Sequence, residues 1–399
     1  MTERLSRPKA LKGIISILST TPYSTSSTTK AKHIIGSIAR TLLALTFLVS
    51  GFVKAVDPLG TVYKIEDYFK AFGGVFMDLT PYADILAVCL IGLEFVLGVC
   101  LLLNVRTNWT AWITLAFYLV MTPLTLWIAL TNPISDCGCF GDAVVLTNWQ
   151  TFWKNVVLLL LVITLLCCRK AIPQLWRTWA EVSIAIIAAL TVFALMEYTY
   201  LHLPIIDFRP YKVGNNIPTL MEVPEGAPQD IYQTTLIYEK EGMQQEFTLE
   251  NYPKGDPEWT FVEQRSVLIQ KGYQPPIHDF EIMTLNYEDI TYDILESEET
   301  VTLAIIYDIN QMDRKQLNKV LALYYNCPGK YYIVTGSGTD EIIAFAEELG
   351  LEEEEAWNLI CTADPVTLKT IVRANPGLVV IQNGTIIEKK NFRQVTIDL

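Results

Sequence analysis

The chain has 399 residues, of which 51% are AVILMFWYC and 18% are charged, and its mean hydropathy of +0.29 excludes an ordinary soluble globular protein. Charge is uneven: residues 1–200 carry 15 Lys+Arg against 11 Asp+Glu, whereas residues 201–399 carry 15 against 32. That acidic half argues against nucleic-acid binding, which needs cations to neutralise phosphates, and the length allows two or three domains.

In chain order, residues 1–33 read as a cytoplasmic N-terminal segment. Its apolar run at 11–18 is too short, and too poor in a small-residue cleavage site, for a signal peptide. The Ser/Thr-rich stretch 20–29 reads as a flexible linker. Five apolar runs of about 20 residues then follow, near 34–53, 82–103, 109–130, 153–169 and 179–200. Together they predict a membrane bundle over 34–200. Arg4, Arg7, Lys9, Lys12, Lys30 and Lys32 precede the first span, Arg106 follows the second, and Arg169, Lys170 and Arg177 follow the fourth. The other face has only Lys54, Lys64 and Lys70 in its first loop and no Lys or Arg in 131–150. The positive-inside rule therefore puts the N-terminus in the cytoplasm, with the loop after span three and everything beyond about residue 201 outside, as in a bacterial inner membrane protein.

Charges inside spans are costly and usually paired. Arg40 lies about 9 Å into span one, and Glu94 about 13 Å into span two, both counted from the cytoplasmic side. Because the two spans run antiparallel, an Arg40–Glu94 ion pair is expected, with a proton or quinone site as the functional alternative. Pro123 should kink span three. Cys89, Cys100, Cys167 and Cys168 fall in or at the ends of apolar runs and read as small buried hydrophobes.

The loop Asp136-Cys137-Gly138-Cys139-Phe140-Gly141-Asp142 holds the one close cysteine pair. Cysteines two apart stand near the upper edge of disulfide reach, and Gly138 lets the backbone bend enough to close it. Asp136 and Asp142 would raise the thiol pKa values, while Lys154, a possible thiolate stabiliser, would lower them. A thiol–disulfide site, a static pair of sulfurs in a tight turn, and cofactor attachment all remain open. With no His or further Cys nearby, no zinc site is expected. Phe140, Trp149 and Trp153 read as interfacial anchors.

Residues 201–274 read as a β-rich connector with a hairpin, 232–238 and 245–249, turning near Glu241-Gly242. From Pro275 strands and helices alternate: an opening strand at 275–280, strands at 301–307, 331–334 and 357–361, and helices at 314–325, 341–349 and 365–373. A closing hairpin, 378–382 and 385–389, turns at Asn383-Gly384. This order implies parallel pairing closed by an antiparallel edge.

From Pro275-Pro276-Ile277-His278-Asp279-Phe280 to Asn375-Pro376-Gly377-Leu378-Val379-Val380-Ile381, residues 275–399 resemble a thioredoxin-like domain of the TlpA type. The resemblance implies that Pro376 is cis. It also implies a Cys-x-x-Cys after the first core strand, but Asp308-Ile309-Asn310-Gln311-Met312-Asp313 stands there instead. Cys327 and Cys361 fall elsewhere and read as structural. Ser50-Gly51-Phe52-Val53-Lys54-Ala55, Glu94-Phe95-Val96-Leu97-Gly98-Val99, Pro123-Leu124-Thr125-Leu126 and the cysteine loop resemble the DoxX/MauE family of small membrane proteins. In methylamine-utilisation operons, MauE accompanies MauD, a thioredoxin-like partner with working cysteines. The chain resembles the two fused, without the partner's cysteines.

The resemblance implies a membrane thiol–disulfide or maturation factor. Cys137 and Cys139 would serve an exported client protein and pass electrons to a membrane carrier such as a quinone. A non-enzymatic anchoring or assembly subunit is the alternative. A periplasmically active reporter enzyme fused after residue 399 should be active in cells, and the same reporter placed after residue 170 should be silent. The reverse pattern overturns the orientation.

Overall fold

A computed structural model describes residues 27–270 and 272–396, so the N-terminal linker expected over 20–29 and the basic residues before it fall largely outside the described residues. The chain divides between Tyr200 and Leu201 into two compact units.

The first unit is helical. Its elements are α1 (Ser27–Val56), α2 (Pro58–Phe72), a 3-10 stretch (Gly74–Tyr82) that leads into α3 (Ala83–Leu102), α4 (Thr107–Thr131), α5 (Asn148–Cys168) and α6 (Thr178–Leu201). Five of its helical segments, those containing α1, α3, α4, α5 and α6, are long and apolar enough to cross a bilayer. They coincide with the five apolar runs of the sequence. The amphipathic α2 is additional: Asp57 caps it by accepting from Gly60 N at 3.1 Å, and Pro58 starts it. Helix α4 continues through Pro123 to Thr131.

Helices α1 and α3 pack tightly because glycines remove side chains at their crossing. A Cβ on Gly51 would lie 2.7 Å from Phe95 N, and one on Gly98 would lie 2.7 Å from Leu48 N. In lipid, where apolar burial gives helices little reason to associate, such close backbone approach supplies much of the attraction. The crossing fixes which residues face each other, with 48 beside 98 and 51 beside 95.

The second unit contains two sheets. After α7 (Ile217–Met221), strands β1 (Ile231–Lys240), β2 (Met243–Thr248) and β3 (Thr260–Gln270) form an antiparallel sheet of order β2-β1-β3. The hairpin β1–β2 turns at Glu241-Gly242, both with positive φ. Strand β3 was not foreseen, because its residues are exposed throughout and show no apolar alternation. Next come β4 (Met283–Thr284), α8 (Thr291–Leu295), β5 (Val301–Ile306), α9 (Leu317–Asn326), β6 (Lys330–Thr335), α10 (Thr339–Leu349), α11 (Glu353–Leu359), β7 (Ile360–Thr362), α12 (Pro365–Ile371), β8 (Gly377–Gln382) and β9 (Thr385–Asn391). The six-stranded sheet has the order β4-β7-β6-β5-β8-β9. Strands β5, β6 and β7 pair in parallel, and β4, β8 and β9 join antiparallel. Central β5 is buried on both faces, as an interior strand between two helix layers must be. Leu303 and Ile305 pack with Ile217, Leu295 and Leu368, while Ala304 and Ile306 pack with Val320, Phe345 and Ala356.

Two strands differ from expectation. Residues 275–280 form no strand, since Pro275 and Pro276 lack N–H donors; Ile277 N instead bonds Leu220 O at 3.2 Å. Residues 357–359 finish α11, whose first turn carries Glu353, Glu354 and Glu355 at the positive end of the helix, and the strand starts only at Ile360. Within 201–274 the earliest part belongs to the larger sheet. Gly214 N and Ile217 N donate to the Ile386 and Gly384 carbonyls, each at 2.8 Å. Lys389, 4% exposed, donates to Asp207 at 2.7 Å, and Arg209 holds the same carboxylate at 2.8 Å. Burial, reinforced by the Arg209 charge, pulls Lys389 down to about 8.

The α1–α3 crossing yields a direct check. Gly98→Leu should destabilise the detergent-solubilised protein by roughly 1–3 kcal/mol through overpacking, read as a lower thermal midpoint. Gly92→Ala, whose new Cβ meets only the Phe193 ring at 3.6 Å, should leave the midpoint within error.

Candidate functional site

The sequence left Glu94 with Arg40 as its expected partner. The structure separates them. Arg40 reaches the carbonyls that end α3, donating to Leu101 O and, at 2.8 Å, to Leu102 O. Unpaired carbonyls at a helix C-terminus are a natural acceptor for a guanidinium. Glu94 instead accepts two hydrogen bonds from Lys54, to Oε1 at 2.8 Å and to Oε2 at 3.0 Å, with both side chains 4% exposed. Depth counting failed because it ignores rotation about the helix. The Gly51–Phe95 contact sets the register, and Ser50 and Lys54, one turn apart, flank Glu94. Lys54 also lies inside α1 rather than in the outer loop where the charge count had placed it.

Ser50 extends the pair toward the cysteines. Its hydroxyl lies 2.7 Å from Glu94 Oε2 and 2.7 Å from the Cys139 carbonyl oxygen, so its one proton can be donated to either. The loop that delivers Cys139 is braced at both ends. Asn132 ends α4 in a left-handed conformation, its side chain accepts from Asn148 Nδ2 at 2.8 Å, and the same amide donates to Ile134 O at 3.0 Å. Thr147 and Gln150 then form a capping box that starts α5.

Between these braces, Gly138 and Gly141 adopt φ of +66° and +51° and Gly141 N bonds Gly138 O at 3.1 Å, a turn that side chains would strain. Asp136 accepts from Gly138 N at 2.8 Å and from Lys64 at 3.0 Å. Tyr68, from α2, donates to the Cys137 carbonyl at 3.1 Å, and burial pushes its phenol well above the usual range.

The two sulfurs stand 3.1 Å apart as free thiols. They are not equivalent. The hydrogen bond from Cys137 favours the Cys139 thiolate and outweighs burial, and Lys154 and Lys54 add to it, bringing Cys139 down to about 6. The same bond, together with burial, holds Cys137 well above an ordinary thiol. Lys154 sits over the Phe140 ring, 4.6 Å from its centroid. Trp149 and Trp153 are 48% and 60% exposed, on the outer surface of the helical unit. A cavity of about 20 Å3, room for a single water, touches Ser50, Glu94, Cys139, Lys154 and Asn155. Ser50, Lys54, Lys64 and Tyr68 were not picked out as site residues. The one available signal was that Ser50, Lys54 and Glu94 are the polar positions in otherwise apolar stretches.

In the second unit, the 308–313 loop lies beside the cis Asn375–Pro376 bond, with Asn375 Nδ2 donating to Asp308 O at 2.7 Å and Asp313 N to Asn375 O at 3.0 Å. It holds no cysteine. Cys361 is buried, which raises its thiol to about 12, and Cys327 bonds Thr302 Oγ1 at 3.1 Å. No group of three or more His, Cys, Asp or Glu suited to a metal occurs among the described residues.

Removing one member of a buried ion pair leaves the other uncompensated. Lys54→Met should therefore cost roughly 3–5 kcal/mol of stability, and the double variant Lys54→Met/Glu94→Leu should recover most of it, by thermal unfolding in detergent. Equal losses in the single and double variants would show that the pair does not act as a unit.

Comparison with known proteins gives two matches along the chain. Residues 232–271, the small antiparallel sheet, match a domain of unknown function, DUF8463. No curated protein matches the chain. Residues 32–168 match the family model of methylamine utilisation protein MauE, and this stretch from α1 to the end of α5 includes every residue of the cysteine site.

Proposed function

We propose that the protein is a membrane thiol–disulfide factor whose working pair is Cys137 and Cys139, serving a protein client on the non-cytoplasmic side. The observation that carries the reading is the geometry of the pair, two sulfurs 3.1 Å apart with Lys154 and Lys54 close by, a setting that lowers the Cys139 pKa and raises that of Cys137. A thiolate is the attacking species in disulfide exchange, and a protonated partner waits to resolve the product.

In the reducing direction, Cys139 Sγ⁻ attacks one sulfur of a client disulfide, forming a mixed disulfide and releasing a client thiolate. The released client thiolate takes the Cys137 proton, and the Cys137 thiolate attacks Cys139 Sγ. The second client thiolate leaves, and the Cys137–Cys139 disulfide remains. Run backwards, the same steps oxidise a client dithiol. In that direction two electrons and two protons pass to a lipid-soluble acceptor of the quinone class, which restores the disulfide. Lys154 and Lys54 favour the thiolate, and Lys64, Tyr68 and Ser50 hold the loop in place.

The six-stranded sheet unit, with its parallel β5–β6–β7 core, antiparallel β8–β9 edge and cis Pro376, is read as a thioredoxin-like domain that binds the client without thiol chemistry of its own. The missing cysteines at 308–313 also favour a second reading, an anchoring or assembly subunit. Its signature would be a partner that co-purifies equally with wild-type and cysteine-free protein.

Because the Cys139 pKa is depressed to about 6, its thiolate is populated above that pH and lost as pH falls through it. Mass-resolved alkylation of the purified protein should therefore show Cys139 reacting faster than Cys137 at pH 7, with its rate falling below about pH 6. Lys154→Gln should shift that fall to higher pH. In cells, Cys137→Ser should leave Cys139 joined to a client as a trapped mixed disulfide. Thiols that stay reduced in every growth condition, with no trapped species, would end the redox reading.

A further inference from the structure

The end of the helical unit away from the cysteine loop holds a cavity of about 340 Å3, lined by Arg106, Thr107, Asn108, Arg169, Gln174 and Glu181. It lies where α4 and α6 begin and α5 ends. Two guanidinium groups and one carboxylate give it a positive balance. Arg169 donates through Nε to Asn108 at 2.8 Å and stacks on Trp112, 5.7 Å from the ring centroid. Arg106 adopts a left-handed conformation, its N–H bonds Glu181 Oε1 at 3.2 Å, and its Nε lies 3.3 Å from Oε2.

Glu181 is the odd member. It is 1% exposed, and Gln174 fills Oε1 with a second hydrogen bond at 3.0 Å. Its Oε2 has the ionic contact with Arg106 but no well-directed hydrogen bond. A buried carboxylate oxygen without a donor is costly, which marks a place for an outside hydroxyl or ammonium. Trp109 lines the cavity and Trp112 lies against Arg169, and both are exposed, as indoles are where bilayer meets water.

We propose that this cavity binds the headgroup of an anionic phospholipid whose phosphodiester meets Arg169 and Arg106 and whose hydroxyls donate to Glu181 Oε2, a chemistry that glycerol headgroups have and choline headgroups lack. The phosphate neutralises the excess positive charge of the two guanidinium groups. The Trp109 and Trp112 indoles would hold the acyl chains' upper carbons. The site makes no use of the cysteines, so it stands or falls independently of the redox reading.

The test uses the full-length protein in a neutral detergent, with thermal unfolding followed during titration with dioctanoyl phosphatidylglycerol, dioctanoyl phosphatidylcholine and free glycerol 1-phosphate. The expected result is saturable stabilisation by the phosphatidylglycerol alone. Arg169→Gln should raise its half-saturating concentration by about tenfold or more, the loss of one charged contact, while Lys170→Gln at the exposed next position changes it less than about twofold. Equal stabilisation by the phosphatidylcholine overturns the proposal, and so does equal stabilisation by free glycerol phosphate, which would make the ligand a soluble anion. If Arg169→Gln does not fold, the wild-type comparison of the three ligands still decides.

Discussion

The helical unit depends on one buried ion pair. Lys54 and Glu94 are both nearly inaccessible, they join α1 to α3, and Ser50 carries their polarity to the Cys139 carbonyl. Two charges in an apolar bundle are tolerable only when each satisfies the other, so the α1–α3 register cannot slip by a turn without exposing one of them to lipid. The glycines at 51 and 98 supply the close approach that the pairing needs. Packing and electrostatics thus fix the same register, and the cysteine loop is hung from it.

The asymmetry of the two thiols follows from that placement. Cysteines two apart on a free loop would be near-equivalent. Here the sulfurs share a hydrogen bond, Lys54 acts on both and Lys154 on Cys139 alone, and both are withdrawn from water. Burial alone would raise both values. Two lysines and a directed hydrogen bond reverse the sign for one of them.

Much of this was legible in the residues. Five runs of about 20 apolar positions mark five helices, and Asn383-Gly384 marks the closing hairpin, because each signal is local. The cysteine loop was visible for the same reason. Glu94's partner was not, since depth along a helix says nothing about rotation around it, and Lys54 looked like a loop residue because it follows the apolar run. Residues 357–359 looked like strand because Trp and Leu suit both structures; the three glutamates before them decide for helix. Strand β3 carried no burial pattern to find.

The bonds that shape the cysteine loop end on its backbone. Tyr68 and Ser50 reach the carbonyls of Cys137 and Cys139, Asp136 takes the Gly138 amide, and Asn148 closes the base. None of these four ends on a sulfur. The frame is therefore indifferent to what the sulfurs are doing: bonded to each other, to a visitor, or to nothing, they sit in a mould that other atoms maintain.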